Sequence, residues 1–199
     1  MSSKSPETRN RILNAAWKLL EANQGDGVRM IDIAKESGIS RQAVYLHFST
    51  RAELLIATTR YIDEVKGVDA RLKLSRTVTS GAERLEAFID AWGNYIPEIY
   101  AVSKALMTMK ETDKAAALAW NDRMQALREG CKAAILAIEN DGVLSSGHTP
   151  EQATDVLWTM LSVRNWEQLT IECGWSKTQY VTRMKALLMS TFVDVKKEK

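Results

Sequence analysis

Cysteine and histidine are scarce in this sequence of 199 residues, with two of each. Cys131 and Cys173 lie far apart without a CxxC spacing, so we expect two buried thiols in a reducing compartment, with a disulfide as the weaker alternative. His47 and His148 have no ligand cluster around them, so no metal site is expected. The sequence also has no Ser-His-Asp set and no glycine-rich phosphate loop, which argues against an enzyme, and no cofactor is expected.

Proline and glycine are also few, and long apolar runs are absent. Three prolines and ten glycines favour long helices joined by few turns. No apolar run is long enough to span a bilayer, and residues 1–5 do not have a signal-peptide pattern. We therefore expect a cytoplasmic protein with no membrane partner.

Apolar helical sequence is abundant. Hydrophobic residues make up 45% of the chain and recur at three- and four-residue spacings, without a strand pattern or an internal repeat, so the predicted fold class is all-α. Pro97 is expected to separate two helices, because its ring cannot continue a helix without a kink. Residues 69–79 are expected to form a loop or an irregular helix. The predicted helices span residues 7–23, 31–36, 41–48, 51–65, 81–95, 97–109, 112–140, 150–173 and 177–195.

The stretch Ile31–Leu55 contains two short helical patterns separated by a glycine. Gly38 suits a tight turn that needs a positive φ. Ser40 can cap the second helix with its hydroxyl, and Thr50 with Glu53 forms a capping box for the helix that follows. A helix, a glycine turn and a second short helix make a helix-turn-helix, whose second helix enters the DNA major groove.

The second helix of this motif has two faces. Val44 and Phe48 can point inward, while the outward residues are Arg41, Gln42, Tyr45 and His47. Arginine can form paired hydrogen bonds with guanine and glutamine with adenine, so Arg41 and Gln42 are expected to read base edges. The first 60 residues carry nine basic and six acidic residues, a modest excess that supports double-stranded DNA as the partner.

The motif resembles the DNA-binding domain of the TetR family of transcriptional regulators over roughly residues 8–60. The strings that carry the resemblance are Gly38-Ile39-Ser40, Ala43-Val44-Tyr45-Leu46-His47-Phe48 and Arg51-Ala52-Glu53-Leu54-Leu55. The resemblance implies a three-helix DNA-binding domain in residues 1–52 and a helical effector-binding and dimerisation domain in residues 53–199.

The resemblance also implies roles for residues around the motif. Tyr45, His47 and Arg51 match positions that contact phosphates, although Tyr45 could instead pack as a core aromatic with a solvated hydroxyl. Arg29 departs from the family pattern, because the position usually carries a Ser or Thr helix cap; the arginine could reach a phosphate instead. The predicted DNA-binding residues are Arg29, Ser40, Arg41, Gln42, Tyr45, His47 and Arg51.

The last two predicted helices carry apolar residues on more than one face. One face can pack within the subunit, and the other suggests a second copy, so a homodimer through these two helices is predicted. TetR-like proteins dimerise in this way. A thick core within a monomer is the alternative.

Large aromatic and methionine side chains are concentrated after residue 80, where five of the six tryptophans lie. In a TetR-like context they predict a pocket for a small, largely apolar effector, with ordinary core packing as the alternative. The predicted lining residues are Trp92, Tyr95, Met107, Trp120, Met124 and Trp166. The predicted function is a homodimeric, ligand-responsive regulator that binds a palindromic operator and is released by this effector. Repression is expected, and activation stays open because the sign depends on where the operator lies.

Overall fold

The computed structural model of the protein describes residues 5–22 and 28–194, and it confirms the all-α fold class. Within these ranges the only β geometry is one isolated bridge between Leu144 and Val193. The predicted helix ends at residues 23 and 195 lie outside the described residues. The helices are α1 (Pro6–Ala22), α2 (Met30–Ser37), α3 (Arg41–His47), α4 (Arg51–Val65), α5 (Val68–Arg71), α6 (Lys73–Thr77), α7 (Gly81–Met109), α8 (Lys114–Asn140), α9 (Pro150–Met160), α10 (Val163–Glu167), a π-helical turn (Gln168–Glu172) and α11 (Lys177–Phe192).

The chain divides into two compact units that interleave along the sequence. The first comprises Met1–Lys66 and Ile99–Met124, and the second comprises Gly67–Glu98 and Gln125–Lys199. Helices α7 and α8 therefore each contribute one segment to each unit. The predicted boundary between residues 52 and 53 separates DNA binding from effector binding and dimerisation, and it stays a prediction.

The first unit holds the helix-turn-helix on one hydrophobic core. Helices α2 and α3 have only eight and seven residues, which is too short for an isolated helix to be stable in water. They depend on burial, and each fully buried large apolar side chain contributes about 1.5–3 kcal/mol. The core includes Ile12, Leu13, Leu20, Ile33, Val44, Phe48, Leu54, Leu55, Ile62, Val102, Leu106 and Met109.

The second unit brings α7 close to its neighbours at two glycines. A side chain at Gly81 would overlap the backbone of Ala137 in α8, and one at Gly93 would touch Tyr180 and Val181 in α11. Tyr180 is fully buried there. Gly81 therefore allows a close backbone approach of α7 to α8, and Gly93 leaves room for the side chains of α11.

The predicted helix break at Pro97 is wrong, because α7 runs without interruption from Gly81 to Met109. A proline inside a helix removes one backbone hydrogen bond and strains the preceding turn. Here Tyr95, Ile96 and Val102 are buried on both sides of Pro97. Their burial outweighs the lost hydrogen bond, so the helix continues through the proline.

The single helix predicted over residues 150–173 is also wrong, because α9 ends at Met160. The Ser162 hydroxyl accepts a hydrogen bond from the Asn165 amide at 3.2 Å and starts α10. Two carbonyls near the break have side-chain donors: Asn165 Nδ2 donates to Thr159 at 2.7 Å, and Trp92 Nε1 donates to Leu161 at 2.7 Å. A local serine cap, supported by these bonds, thus replaces helical pairing.

Two further expectations need correction or refinement. Cys131 is buried, and burial raises the pKa of its thiol, but Cys173 is exposed rather than buried. It lies just after the π-helical turn, where the chain turns through Gly174 with a φ of 74°.

Residues 69–79 form two short helices, α5 and α6, over most of their length. No helix in the described residues has both the length and the hydropathy to cross a membrane.

Candidate nucleic-acid interface

The turn between α2 and α3 is built around Gly38. Gly38 has a φ of 65°, and the Ile39 amide donates to the Ala34 carbonyl at 3.1 Å, which closes the end of α2. The Arg11 guanidinium donates to the Ser37 carbonyl at 2.8 Å and lies beside Gly38. A side chain at this positive φ would be strained, so glycine sets the angle at which α3 leaves α2.

Helix α3 begins at Arg41, as the sequence predicts, and ends at His47, one residue before the predicted end. The Ser40 hydroxyl accepts a hydrogen bond from the Ala43 amide at 3.1 Å. The Thr50 hydroxyl accepts one from the Glu53 amide at 3.1 Å and so caps α4. Hydrogen bonds from the side chain and the amide of Ser49 lower the pKa of the Glu53 carboxyl, which stays charged at the corner between the two helices. The start of α3 and the start of α4 are therefore each held by a side-chain capping bond.

The outward face of α3 presents a mixed polar and aromatic surface. Arg41, Gln42 and Tyr45 are all exposed, and the Arg41 guanidinium lies 5.5 Å from the centre of the Tyr45 ring. The structure thus places Tyr45 at the surface, with 41% of its area exposed, and not in the core. Stacking on the ring limits the conformations of Arg41 before any partner arrives.

His47 and Leu46 complete this face in different ways. His47 is half-buried, with its ring 6.4 Å from that of Phe48. Leu46 is 51% exposed, although sequence reasoning left it off the outward face. Its position four residues after Gln42 was the available signal, because residues four apart share one side of a helix.

Arg29 lies at the start of α2 and has no capping bond to the helix. Its guanidinium forms two hydrogen bonds with Asp32, at 2.7 and 3.0 Å, and hydrogen bonding from Arg29 is the main cause of the lowered pKa of the Asp32 carboxyl. This pair is solvent-exposed and therefore weak. Arg29 is on the surface, as a phosphate contact would require.

Arg51 does not lie on this surface, and its predicted phosphate contact stays a prediction. Its Nε donates to the Val28 carbonyl, and its Nη1 lies 2.5 Å from Asp113 Oδ2. Its side chain is only 21% exposed. The inward direction follows from a carboxylate that the tertiary structure supplies from 62 residues away, which no local pattern around Arg51 could indicate.

Comparison with known proteins assigns the motif to a family. Residues 12–58 match the family model described as bacterial regulatory proteins, tetR family. The chain belongs to the TetR family. As a TetR-family protein it is a transcriptional regulator, and its relatives in the family are DNA-binding proteins without enzymatic activity.

The likeness to other TetR-family proteins extends beyond the motif. The HTH-type transcriptional regulator CymR of Pseudomonas putida is 27% identical over 184 residues, which cover 88% of this chain and 84% of CymR. A transcriptional regulator of Saccharomonospora viridis, solved with choline, has a TM-score of 0.73 at 21% identity, covering 96% of this chain and 100% of its own. FadR of Bacillus subtilis, solved with stearoyl-CoA, has a TM-score of 0.72 at 14% identity, covering 92% and 98%. At such identities the two structures establish the shared fold alone.

The residues predicted to line the effector pocket are divided between the two units. Trp92, Tyr95 and Trp166 belong to the second unit, and the other three (Met107, Trp120 and Met124) belong to the first. The structure brings Trp92 and Tyr95 together, with ring centres 5.8 Å apart. Trp120 is partly buried against the core of the first unit. The pocket therefore stays a prediction for this TetR-family protein.

A groove of about 670 Å³ lies elsewhere, between α1 and α4 of the first unit. It is open and carries charges of both signs, in contrast to the enclosed apolar site that the sequence predicts. None of the six predicted effector residues lines it. Its lining residues are Arg9, Asn10, Thr50, Ala52, Glu53, Ile56, Ala57, Arg60, Tyr61 and Glu64.

Proposed function

We propose that this TetR-family regulator is a cytoplasmic homodimeric repressor that binds a palindromic operator and leaves it when a small, largely apolar effector binds. In this proposal DNA binding belongs to residues 1–52, and effector binding and dimerisation belong to residues 53–199. The observation that carries it is the exposed face of α3, on which Arg41, Gln42 and Tyr45 lie together on a helix whose start is capped by Ser40. Such a face, held on a rigid core, suits insertion into the major groove.

The proposed division of labour on DNA follows from the chemistry of these side chains. Arg41 would form paired hydrogen bonds with guanine, and Gln42 with adenine. Tyr45, His47 and Arg29 would contact phosphates, which sets the register of the helix on the duplex without reading sequence. The hydroxyl of Ser40 already caps α3. Its proposed DNA contact is therefore with a phosphate that lies beside the N-terminus of this helix.

The proposed dimer uses the helices near the end of the chain. Leu157 in α9 and Leu188 in α11 are buried within the second unit, whereas Val156 and Leu187 beside them are 39% and 47% exposed. Apolar side chains on a second face of both helices favour a covered surface, and a two-fold copy is the simplest cover. Two copies of α3 about 34 Å apart would read the two halves of a palindrome.

The effector part of the proposal rests on the aromatic pair Trp92 and Tyr95 and on the fold shared with regulators that were solved with choline and stearoyl-CoA. An effector can release DNA only by binding the free state more tightly than the DNA-bound state. The effector should therefore bind less tightly when the operator is present.

Selection from a pool of random DNA duplexes is the experiment that tests the proposal. We expect one palindrome to be enriched, with two chains bound per duplex in sedimentation, and a screen of small apolar molecules should then identify one that releases it. Enrichment of an unrepeated motif bound by one chain would contradict the dimer. Absence of any enriched motif would contradict specific DNA recognition by α3.

Replacing Arg41 with alanine should relax sequence preference at one guanine of each half-site. The loss of a paired arginine–guanine contact is expected to cost about 1–3 kcal/mol of binding free energy with that base and much less with the other three. Binding to duplexes that vary at each position measures the effect.

Lys132→Ala is the matched control, because it removes an exposed positive charge from α8 in the second unit. It should leave the preference unchanged at every position. Equal weakening of all duplexes by Arg41→Ala would show that Arg41 contacts the DNA backbone and not a base.

A further inference from the structure

Three arginine–aspartate pairs join α4 to the start of α8 in the first unit. Arg51 pairs with Asp113 at 2.5 Å, Arg60 pairs with Asp122 at 2.5 Å, and Arg123 pairs with Asp63. The first two pairs each join residues 62 apart in the sequence, and the third joins residues 60 apart. A later residue of α4 thus always pairs with a later residue of α8. These parts of the two helices therefore run parallel and in register.

The three pairs differ in their exposure to water. The Arg60 side chain is 62% exposed, whereas those of Arg51 and Asp113 are 21% and 23% exposed. Water screens an exposed pair and leaves it with little effect on structure. The pairs of Arg51 with Asp113 and of Arg123 with Asp63, the latter 22% and 24% exposed, are therefore the two able to hold the helices in a defined position. Of these two, only Arg51 lies at the start of α4, next to the helix-turn-helix.

Arg51 connects three separate points of the backbone. Its Nε binds the Val28 carbonyl just before α2, its own backbone starts α4, and its Nη1 binds Asp113 just before α8. Asp113 in turn caps α8, because its Oδ1 accepts hydrogen bonds from the Ala115 and Ala116 amides at 2.9 and 3.2 Å. One guanidinium thus ties together the starts of α2, α4 and α8.

The electrostatics of this contact favour a closed pair. Burial by itself raises the pKa of the Asp113 carboxyl, but the hydrogen bonds from Arg51 and from the two capping amides outweigh it, so the pKa lies below its ordinary value. Arg51 Nη2 is buried and has no hydrogen-bond partner in the described part of the chain. To reach a phosphate, Arg51 would have to break its bonds to Val28 and Asp113. The partly buried carboxylate of Asp113 would then have no positive partner, which is energetically costly.

We propose that Arg51 and Asp113 form a positioning pair for DNA recognition. The pair holds the start of α4 against α8, and α4 begins three residues after Phe48, the last residue of the α3 cap. The angle at which α3 meets DNA is therefore set by a residue of the α8 cap, outside the helix-turn-helix. This inference rests on the proposed function, since it concerns how α3 is presented to DNA.

A comparison of salt dependence tests the role of the pair. The variants are Asp113→Asn, Arg51→Ala and the two combined, each measured on the duplex enriched from random DNA over a series of salt concentrations. A lost phosphate contact lowers the slope of log affinity against log salt by about 0.9, whereas a lost positioning contact leaves the slope unchanged. Asparagine keeps an oxygen that can cap α8 while removing the charge that binds Arg51.

We expect each single variant to weaken binding about tenfold with an unchanged slope, and the double variant to be no weaker than either, as for two residues that act as a unit. Arg60→Ala is the matched control, because it removes an arginine–aspartate pair between the same helices. It should change affinity by about twofold at most, since the Arg60 side chain is 62% exposed and Asp122 keeps its second partner, Arg123. Far-UV circular dichroism establishes that each variant is folded.

Two results would overturn the proposal. The first is a lower slope for Arg51→Ala together with tighter binding by Asp113→Asn, which would mean that Arg51 is a phosphate ligand restrained by Asp113. The second is unchanged affinity in both single variants. If Arg51→Ala does not fold, the affinity of Asp113→Asn for the duplex decides by itself: weaker binding supports the positioning pair, and tighter binding contradicts it. Failure to enrich any duplex would count against the proposed function only, because the slopes can also be compared on random duplex DNA.

Discussion

Replacing Phe48 with alanine is expected to lower the free energy of unfolding of the first unit by about 3–5 kcal/mol and to abolish DNA binding. Phe48 is 1% exposed and is among the largest fully buried side chains. It ends α3 by donating its amide to the Val44 carbonyl at 3.0 Å, and the Arg9 guanidinium lies 4.9 Å from its ring centre. Truncation would leave a cavity under α3 and remove the partner of Arg9.

The large size of this effect follows from the shortness of α3. A helix of seven residues has little stability of its own, so losing the large buried side chain that directly follows it should also destabilise the helix. Urea denaturation followed by circular dichroism measures the change in stability, and binding to the enriched duplex measures the functional loss.

Leu46→Ala provides the comparison for Phe48→Ala, because Leu46 lies on the same helix and is 51% exposed. Its effect on stability should stay within about 0.5 kcal/mol. If Phe48→Ala were no more destabilising than Leu46→Ala, the packing of α3 on the core of the first unit would be wrong.

Replacing Gly81 with alanine is expected to destabilise the second unit by about 1–3 kcal/mol, although alanine favours helices. A Cβ atom at Gly81 would lie 2.5 Å from the carbonyl carbon and oxygen of Ala137 and 2.6 Å from the Ile138 nitrogen. These are backbone atoms of α8, so no side-chain rotation can relieve the overlap. The opposing gain in helix propensity is about 0.5–1 kcal/mol at most, so overpacking should win.

The expected mechanism is a forced separation of α7 from α8. The Gly81 amide also donates to Asp141 Oδ2 at 2.5 Å, and that bond should weaken when the helices move apart. Thermal unfolding and urea denaturation both measure the loss. Gly147→Ala is the control, since the nearest atom to its Cβ would be Ser145 Oγ at 3.9 Å. A Gly81→Ala variant as stable as the natural protein would refute the close approach.

The helix-turn-helix could be predicted from the sequence because its determinants are local. Gly38 sets the turn, Ser40 caps α3, and Val44 with Phe48 marks the buried face, all within about three helical turns of one another. The same local reasoning identified Arg41 and Gln42 on the exposed face. It placed Leu46 on neither face, and hydrophobicity alone does not decide exposure.

Local rules failed where distant packing competes with them. Pro97 is a helix breaker by itself, but buried neighbours on both sides keep α7 intact. The apolar pattern after residue 150 favours one helix, but Ser162 caps a new one while Trp92 binds the carbonyl of Leu161. In each case the outcome depends on contacts with residues that the local pattern does not contain.

The sequence by itself determined the all-α class, the position of the helix-turn-helix and the polar residues on the exposed face of α3, because helical periodicity and capping depend on residues three or four apart. The tertiary structure alone decided that Arg51 points inward, that α4 and α8 run in register through paired charges, and that Gly81 is a point of backbone contact. These features join residues about 60 positions apart. Their pairing follows from how the helices pack, and helix packing depends on the shape of the whole core.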